Sequence, residues 1–355
     1  MLTHPDDRAL VAQLQATPNA SQRRAIAKLI TLLESTLPSH RQRAAEVMHT
    51  LMASHSGQDE SLRLGISGVP GVGKSTFIEA LGLFLIERGH RVAVLAVDPS
   101  SQISGGSILG DKTRMERLST HEQAFIRPSP SSGTLGGVTQ STREAMRVFE
   151  AAGYDVIIVE TVGVGQSETA VAGMTDLFML MQLPNAGDDL QAIKRGVMER
   201  CDVVVVNKAD LDPDAATRAQ AHITSALRLF GLHGRHLSAE HHTSVAWQPT
   251  VLSLSALKGS GLDALWQTVQ RFCEVQKHSG RWQARRHEQD LAWMWERVDA
   301  GLRQRFDQHP RVRAALPTLS EAVTAGRLMA SLAAQQLLDM MDSDPAAAQS
   351  PPETP

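Results

Sequence analysis

Cysteine is scarce in this chain of 355 residues, with Cys201 and Cys273 the two present. Two cysteines this far apart provide neither a disulfide framework nor a Cys-x-x-Cys metal site. No apolar run approaches the roughly 20 residues needed to span a bilayer, and the N-terminal segment lacks the basic and apolar regions of a secretory signal. The formal net charge of -3 leaves no basic excess for nucleic acid. These absences predict a cytoplasmic protein with neither a membrane nor a nucleic-acid partner.

A glycine-rich motif directly follows the apolar run at residues 62–67. It reads Gly-Val-Pro-Gly-Val-Gly-Lys-Ser and matches the phosphate-loop pattern G-x-x-x-x-G-K-[ST]. Between a predicted strand and a helix beginning near Thr76, its backbone N–H groups can surround phosphate oxygens at the positive end of the helix. Lys74 is expected to reach the β- and γ-phosphates, and the Ser75 hydroxyl to bind Mg²⁺. The predicted nucleotide-binding residues here are Gly68, Val69, Pro70, Gly71, Val72, Gly73, Lys74, Ser75 and Thr76.

A second motif indicates which base is bound. A run of valines at 203–206 precedes Asn207-Lys-Ala-Asp210. The Asp210 carboxylate can accept from both the ring N–H and the exocyclic amine of guanine, and adenine has no such donor pair. Asn207 is expected to tie this loop to the phosphate loop, and the Lys208 stem to cover the base. The segment Ser255, Ala256 and Leu257 has the form of the loop whose backbone amide contacts the guanine carbonyl, so we expect GTP and GDP as ligands.

Apolar strands alternate with helical stretches over residues 61–273, which predicts a nucleotide-binding α/β domain whose mostly parallel sheet has helices on both faces. The predicted strands are Leu64–Ser67, Val92–Val97, Val156–Glu160, Leu177–Gln182, Val203–Asn207 and Thr250–Ser253. Residues 1–60 are predicted to form an N-terminal helical extension, with helices over Ser21–Glu34 and His40–Ala53. A helical C-terminal arm is predicted over 274–341, followed by a disordered tail over 342–355.

Acidic residues follow two of the predicted strands. Ligands of open α/β sheets bind at the carboxyl ends of the strands, and Mg²⁺ prefers oxygen ligands. Asp98, Asp111 and Glu160 are therefore candidate magnesium-site acids, and Asp111 and Glu160 are candidate catalytic residues. An acid that only caps a helix is the alternative for Glu160. Gly163 is the candidate sensor of the γ-phosphate, and Gln166 either orients the attacking water or hydrogen-bonds the backbone.

These motifs and several longer runs together resemble the bacterial MeaB/ArgK-type GTPases, the G-protein chaperones associated with methylmalonyl-CoA mutase. The resemblance covers about residues 20 to 340. It rests on residues 68–76, 97–101, 105–115, 127–137, 160–168 and 207–210. It implies a P-loop NTPase of the SIMIBI class, which includes the signal-recognition-particle and nickel-chaperone G proteins. It also implies GTP hydrolysis with Lys74 and Ser75 in the phosphate loop and Asp98, Asp111 and Glu160 at the magnesium site.

The resemblance further implies a homodimer formed through the C-terminal arm and a partner, an adenosylcobalamin-dependent acyl-CoA mutase. The GTPase would gate loading of the cofactor and protect or reactivate the mutase. Residues 183–194 match the family's third switch, with Asn185 where glycine is usual and Asp189 where glutamate is usual. Asn tolerates positive φ and Asp keeps the charge, so we expect the switch to function. The sequence does not specify which mutase is the partner.

Two other functions fit parts of the chain. A metallochaperone GTPase delivering a metal to an apoenzyme would use histidines such as His233, His236, His241 and His242, which more simply are solvated loop residues. An ATPase or protein kinase attached to amino-acid transport conflicts with Asn207-Lys-Ala-Asp210. The tryptophans Trp282, Trp293 and Trp295 are predicted to be core or dimer contacts, and Arg281, Arg285 and Arg286 a solvated helix face.

Overall fold

The computed structural model describes residues 2, 4–35, 37–54, 61–97, 115–128, 135–161, 167–185, 195–234 and 247–342. The chain divides into two compact units, the first ending at Gln289 and the second beginning at Asp290. Within the described residues, no helix combines the length and apolar character needed to cross a bilayer.

A seven-stranded sheet in the first unit has the order β3-β2-β4-β1-β5-β6-β7, and its neighbouring strands pair in parallel. Its strands are rich in β-branched and other apolar residues, and most are buried throughout, as expected for strands covered on both faces. They are β1 (Leu62–Gly68), β2 (Val92–Val97), β3 (Ala124–Pro128), β4 (Val156–Thr161), β5 (Leu177–Gln182), β6 (Val203–Val206) and β7 (Thr250–Ser253).

Helices cover both faces of this sheet and also make up most of the described residues before β1 and after β7. They are α1 (Pro5–Leu14), α2 (Ala20–Glu34), α3 (Pro38–Ser54), α4 (Lys74–Ile86), α5 (Glu116–Thr120), α6 (Leu135–Ala151), α7 (Ser167–Ala172), α8 (Arg195–Met198), α9 (Pro213–Gly234), α10 (Leu262–His278), α11 (Arg281–Gln308), α12 (Pro310–Thr324) and α13 (Ala330–Asp342). Several helices begin at residues that favour a helix start. The Asn19 side chain caps α2 by accepting from Gln22 N at 2.9 Å, and proline occupies the first turn of α1 and α12.

Alternation of side chains along each strand separates two hydrophobic clusters, one on each face of the sheet. Leu64 and Ile66 of β1 pack with α4 and α10 on one face. On the other face, Ile157 and Val159 of β4 belong to a cluster with α2, α6 and α7. The N-terminal helices therefore belong to the core of the first unit.

The predicted α/β sheet with helices on both faces is confirmed, and one strand was missed. The strand β3 lies at the sheet edge and pairs with β2 alone, from Val92 opposite Ala124 to Ala96 opposite Pro128. It is short and ends in proline, which cannot donate to a ladder and is tolerated at a sheet edge. Such a strand has little hydrophobic pattern from which to be predicted.

Candidate nucleotide-binding site

The phosphate loop lies between the end of β1 and the start of α4. It is at the carboxyl edge of the sheet, where the parallel strands finish. Gly73 precedes the first helical residue with φ of 94°, in the left-handed region that glycine adopts without strain. A Cβ at this position would lie 2.8 Å from Nδ2 of Asn207, so the space also requires glycine. The loop thus turns its backbone toward the N-terminus of α4, where N–H groups and the helix dipole favour an anion.

Lys74, the first residue of α4, points back into this loop. Its Nζ donates to Gly68 O at 2.7 Å and lies 3.5 Å from Val69 O. Burial lowers the pKa of Lys74, and the negative charges of Glu160 and Glu168 oppose that shift. The ammonium is therefore partly desolvated beside two carboxylates, in a position from which it can reach a phosphate bound in the loop.

Asn207 joins the segments of the site. Its Nδ2 donates to Val72 O of the phosphate loop at 2.9 Å, and its Oδ1 accepts from Ala256 N at 3.0 Å. The predicted tie between the base loop and the phosphate loop is present, and the same amide also holds the loop of Ser255, Ala256 and Leu257. All these contacts are buried, so one side chain fixes the relative positions of three loops.

Lys208 adopts φ of 61°, the sole positive φ at a non-glycine residue in the described ranges. A left-handed backbone at such a residue costs about 1–2 kcal/mol and is found where surrounding contacts enforce it. Here the Lys208 Nζ donates to Gly71 O at 2.8 Å, which stretches the side chain over the phosphate loop. The strained residue thus stands in the expected guanine loop.

The Asp210 carboxylate is held ionised at the end of the same loop. A hydrogen bond from the Ser255 hydroxyl and the charge of Lys258 lower the pKa of Asp210. Lys258 Nζ lies 3.5 Å from Asp210 Oδ2. An ionised carboxylate here is an acceptor pair for two adjacent donors.

Glu160 lies at the carboxyl end of β4, opposite Ile66 of β1, and is 4% exposed. Ser75 lies in the first turn of α4, which follows β1. A carboxylate and a hydroxyl at adjacent strand ends are hard oxygen donors, and they suit Mg²⁺. Asp98, Asp111, Gly163 and Gln166 lie outside the described residues.

Four buried polar residues at this edge were given no role by sequence reasoning. Thr161, Ser67 and Glu168 form a hydrogen-bonded chain, with Thr161 Oγ1 3.0 Å from Ser67 Oγ and Ser67 Oγ 3.1 Å from Glu168 Oε1. Gln182 ends β5 as a buried side chain, and neither amide atom has a hydrogen-bond partner among the described residues. The signal available in the sequence was a polar residue closing an otherwise apolar strand.

The basic run at the start of α11 differs from its prediction. Arg281 is exposed, but Arg286 is 2% exposed and forms a bidentate ion pair with Asp176, both distances being 2.7 Å. Arg285 lies 3.1 Å from Asp202 Oδ2. The solvated-face prediction was therefore wrong for Arg286, because its charge is neutralised by a carboxylate far away in the sequence.

Some of the remaining predicted features lie within the described residues, and others lie outside them. Trp282 is buried and Trp295 is 61% exposed. His233 falls within α9, whereas His236, His241 and His242, residues 186–194 of the expected third switch and residues 343–355 lie outside the described ranges. Within those ranges, no group of three or more His, Cys, Asp or Glu side chains is placed to hold a metal ion.

A parallel sheet with a phosphate loop after β1 and an Asn-Lys-x-Asp loop after β6 defines a GTPase of the P-loop class, which binds GTP and GDP. Comparison with known proteins defines the family. The model of the family described as "Methylmalonyl Co-A mutase-associated GTPase MeaB" matches residues 26–311, and the chain belongs to that family. The predicted family and GTPase activity are thereby confirmed.

Individual relatives agree with this assignment over nearly the whole chain. Probable GTPase Mb1533 of Mycobacterium bovis is 50% identical over 339 residues, spanning 95% of this chain and 96% of that protein. The mitochondrial methylmalonic aciduria type A homolog of Mus musculus is 44% identical over 330 residues, spanning 91% of this chain and 77% of that protein. A crystal structure described as LAO/AO transport system kinase matches with a TM-score of 0.71 and 34% identity, covering 97% of this chain and 100% of its own.

Proposed function

We propose that this GTPase is a chaperone of an adenosylcobalamin-dependent acyl-CoA mutase, in which GTP hydrolysis gates loading of the cofactor and protects or reactivates the mutase. The observation that supports the nucleotide site most directly is the pair of hydrogen bonds made by the Asn207 amide, which donates to Val72 O at 2.9 Å and accepts from Ala256 N at 3.0 Å. This joint brings the phosphate loop and both guanine loops together at the carboxyl edge of the sheet, where α/β proteins bind ligands.

The phosphates of GTP lie, in this proposal, in the loop from Gly68 to Thr76. Lys74 exchanges its hydrogen bond to Gly68 O for the β- and γ-phosphate oxygens, which carry more negative charge than a carbonyl. Backbone N–H groups at the start of α4 supply the remaining donors. The ammonium and these donors stabilise the charge that develops as the γ-phosphoryl group moves from GTP to water, giving GDP and phosphate.

Ser75 and Glu160 would hold Mg²⁺ together with Asp98 and Asp111, the Ser75 hydroxyl directly and the acids directly or through waters. Bound there, the ion would neutralise charge between the β- and γ-phosphates. The negative charge of Glu160 also opposes the lowering of the Lys74 pKa by burial. We propose Gly163 as the sensor of the γ-phosphate and Gln166 as a residue that orients the attacking water.

The guanine base is proposed to pair with Asp210 and to stack beneath the Lys208 stem, with Ala256 N available near its carbonyl. Asp210→Asn replaces half of an acceptor pair with a donor, so GTP affinity should fall by about 2–4 kcal/mol. Xanthosine triphosphate, whose exocyclic group is an acceptor, should bind the variant better than GTP. Titration calorimetry with both nucleotides measures this exchange, and equal GTP affinity in the parent and the variant removes Asp210 from the base site.

The family description and the name of the mouse relative support a mutase partner. The proposed signal leaves through the third switch at residues 183–194. Asp188, Asp189 and Lys194 replaced by alanine should leave intrinsic GTP hydrolysis unchanged and abolish stimulation by the mutase, because coupling between two binding events is reciprocal. Turnover is measured with and without saturating methylmalonyl-CoA mutase. Undiminished stimulation in the triple variant would show that another segment carries the signal.

Homodimer formation is proposed through the C-terminal arm. Exposed apolar residues follow one stripe of α11 at helical spacing, namely Leu291, Met294, Trp295, Val298 and Leu302. A stripe of this size on a helix is typical of a protein interface. Trp295→Glu together with Val298→Glu should convert the protein to monomers in light scattering, whereas a dimer of unchanged mass would place the interface elsewhere.

A further inference from the structure

Three buried side chains connect the strand before the phosphate loop to two other elements. The Ser67 hydroxyl accepts from Thr161 at the end of β4 and donates to Glu168 in the first turn of α7. Ser67 and Thr161 are fully buried, and Glu168 nearly so. A hydroxyl has one proton to donate, so the Ser67 hydroxyl donates to Glu168 and accepts from Thr161 through a lone pair. The ends of β4 and α7 are thus both fastened to one atom of β1.

Stability alone gives a weak reason for this arrangement. Burying hydroxyls and a carboxylate costs free energy that their mutual hydrogen bonds at best offset. Apolar residues of similar size at all three positions would fill the same space without that cost. Polar groups placed together in a core specify one geometry more than they stabilise it. The geometry specified here is the position of α7 and of the end of β4 relative to β1.

A second contact fixes the same helix against the same strand. Gly65 lies two residues before Ser67, and a Cβ there would come within 2.6 Å of Thr175 Oγ1 and 2.9 Å of Val171 Cγ1. The backbone of β1 is therefore in direct contact with the end of α7. The helix is held at its first turn by Ser67 and at its last turn by close packing on Gly65.

Ser67 and Thr161 lie next to the groups that are proposed to act on GTP. Gly68, the residue after Ser67, provides the carbonyl that accepts from Lys74 Nζ at 2.7 Å. Thr161 directly follows Glu160 in β4. A shift of Ser67 would consequently move the Lys74 acceptor, and a shift of Thr161 would move the Glu160 carboxylate.

We propose that Thr161, Ser67 and Glu168 are positioning residues for GTP hydrolysis, whose hydrogen-bonded chain holds Glu160 and α7 in register with the phosphate loop. The proposal rests on the nucleotide site described under Proposed function. These residues do not themselves touch the nucleotide. They act by keeping the groups that do so in place.

The sharpest test uses Thr161, because valine has nearly the same shape as threonine without the hydroxyl, and serine keeps the hydroxyl. Thr161→Val should lower kcat for GTP by roughly tenfold to a hundredfold, the effect expected of a displaced reacting group. Its Kd for GDP should stay within about twofold of the parent value, because the base and ribose contacts are untouched. Thr161→Ser should restore most of kcat. Ser67→Ala, which removes the central hydroxyl, should reproduce the loss seen in Thr161→Val.

Single-turnover hydrolysis, GDP titration and thermal unfolding are measured on each variant in the full chain. If Thr161→Val and Ser67→Ala both hydrolyse GTP at the parent rate, the chain of hydroxyls has no positioning role. Equal losses of kcat in Thr161→Val and Thr161→Ser also overturn the proposal, since the hydroxyl would then be irrelevant. Lys74→Ala tests the nucleotide site separately. If the proposed nucleotide site is wrong, GTP binding stays intact in Lys74→Ala. If only the positioning proposal is wrong, Lys74→Ala still loses GTP affinity.

Discussion

The end of the sheet where its parallel strands begin (the amino edge) and the end where they finish (the carboxyl edge) hold buried charged groups in different ways. At the amino edge, Arg286 and Asp176 form a bidentate pair, and Arg63 lies 2.8 Å from Glu150. The charge of Arg63, acting with its hydrogen bonds, lowers the pKa of Glu150 to about 2 in spite of burial. At the carboxyl edge, the Lys74 ammonium instead donates to the backbone carbonyl of Gly68. The buried acids Asp176 and Glu150 at the first edge each have a cation, whereas Lys74 at the second edge has a neutral acceptor.

Two buried glutamines show the same contrast. Gln22, near the amino edge, donates to Leu14 O, Ala16 O and Ala152 O and accepts from Arg91 Nη2. Gln182, at the carboxyl end of β5, has neither amide atom paired within the part of the chain that the structure describes. A buried unpaired amide carries a desolvation cost, and beside the nucleotide loops it can take its partner from another molecule or another conformation. We therefore assign the charge pairs of the amino edge to stability and the Gln182 amide of the carboxyl edge to binding.

The largest expected effect comes from breaking the pair at the amino edge. Arg286→Met leaves Asp176 buried without its cation, which should lower the free energy of unfolding by about 3–5 kcal/mol. Arg88→Met is the matched control, since the Arg88 and Asp263 pair is exposed and should be worth less than about 1 kcal/mol. Guanidinium chloride unfolding measures both. Similar losses in the two variants would contradict the assignment of the amino edge to stability.

Lys74→Met tests the carboxyl edge with the same type of substitution. The desolvated Lys74 ammonium has no carboxylate at hydrogen-bond distance among the described residues, so removing it should leave the free energy of unfolding unchanged or slightly higher. Affinity for GTP should nevertheless fall by about 2–3 kcal/mol or more, the contribution of charged hydrogen bonds to phosphate. Denaturant unfolding without nucleotide and fluorescence titration with a labelled GTP measure the two quantities. A large stability loss with intact binding would reverse the comparison between the edges.

The parts of this picture that were predictable from sequence are those in which neighbours in sequence are also neighbours in space. The phosphate loop and Asn207-Lys-Ala-Asp210 each carry their chemistry within a few residues, and the apolar strands before them set their place in the sheet. The partner of Arg286 lies 110 residues away, and Ser67 and Glu168 are 101 residues apart. No local pattern distinguishes such an arginine from a solvated one. Edge strand β3 escaped prediction for a different reason, because its apolar run of three residues, Ala124 to Ile126, is too short to predict a strand.

The smallest effect, and the finest test of the comparison, concerns the two glutamines. Gln182→Met keeps the length of the side chain and removes an unpaired buried amide, so it should raise the free energy of unfolding by about 1 kcal/mol. Gln22→Met leaves three carbonyls and Arg91 short of a partner, and should lower the free energy of unfolding by about 1–3 kcal/mol.

If the Gln182 amide gains a partner in the GTP state, the stability gained by Gln182→Met should disappear when unfolding is measured with a non-hydrolysable GTP analogue. Thermal unfolding in GDP and in the analogue compares the states directly. A loss of stability in Gln182→Met in both states would mean that the amide is already satisfied and that the carboxyl edge is no less complete than the amino edge.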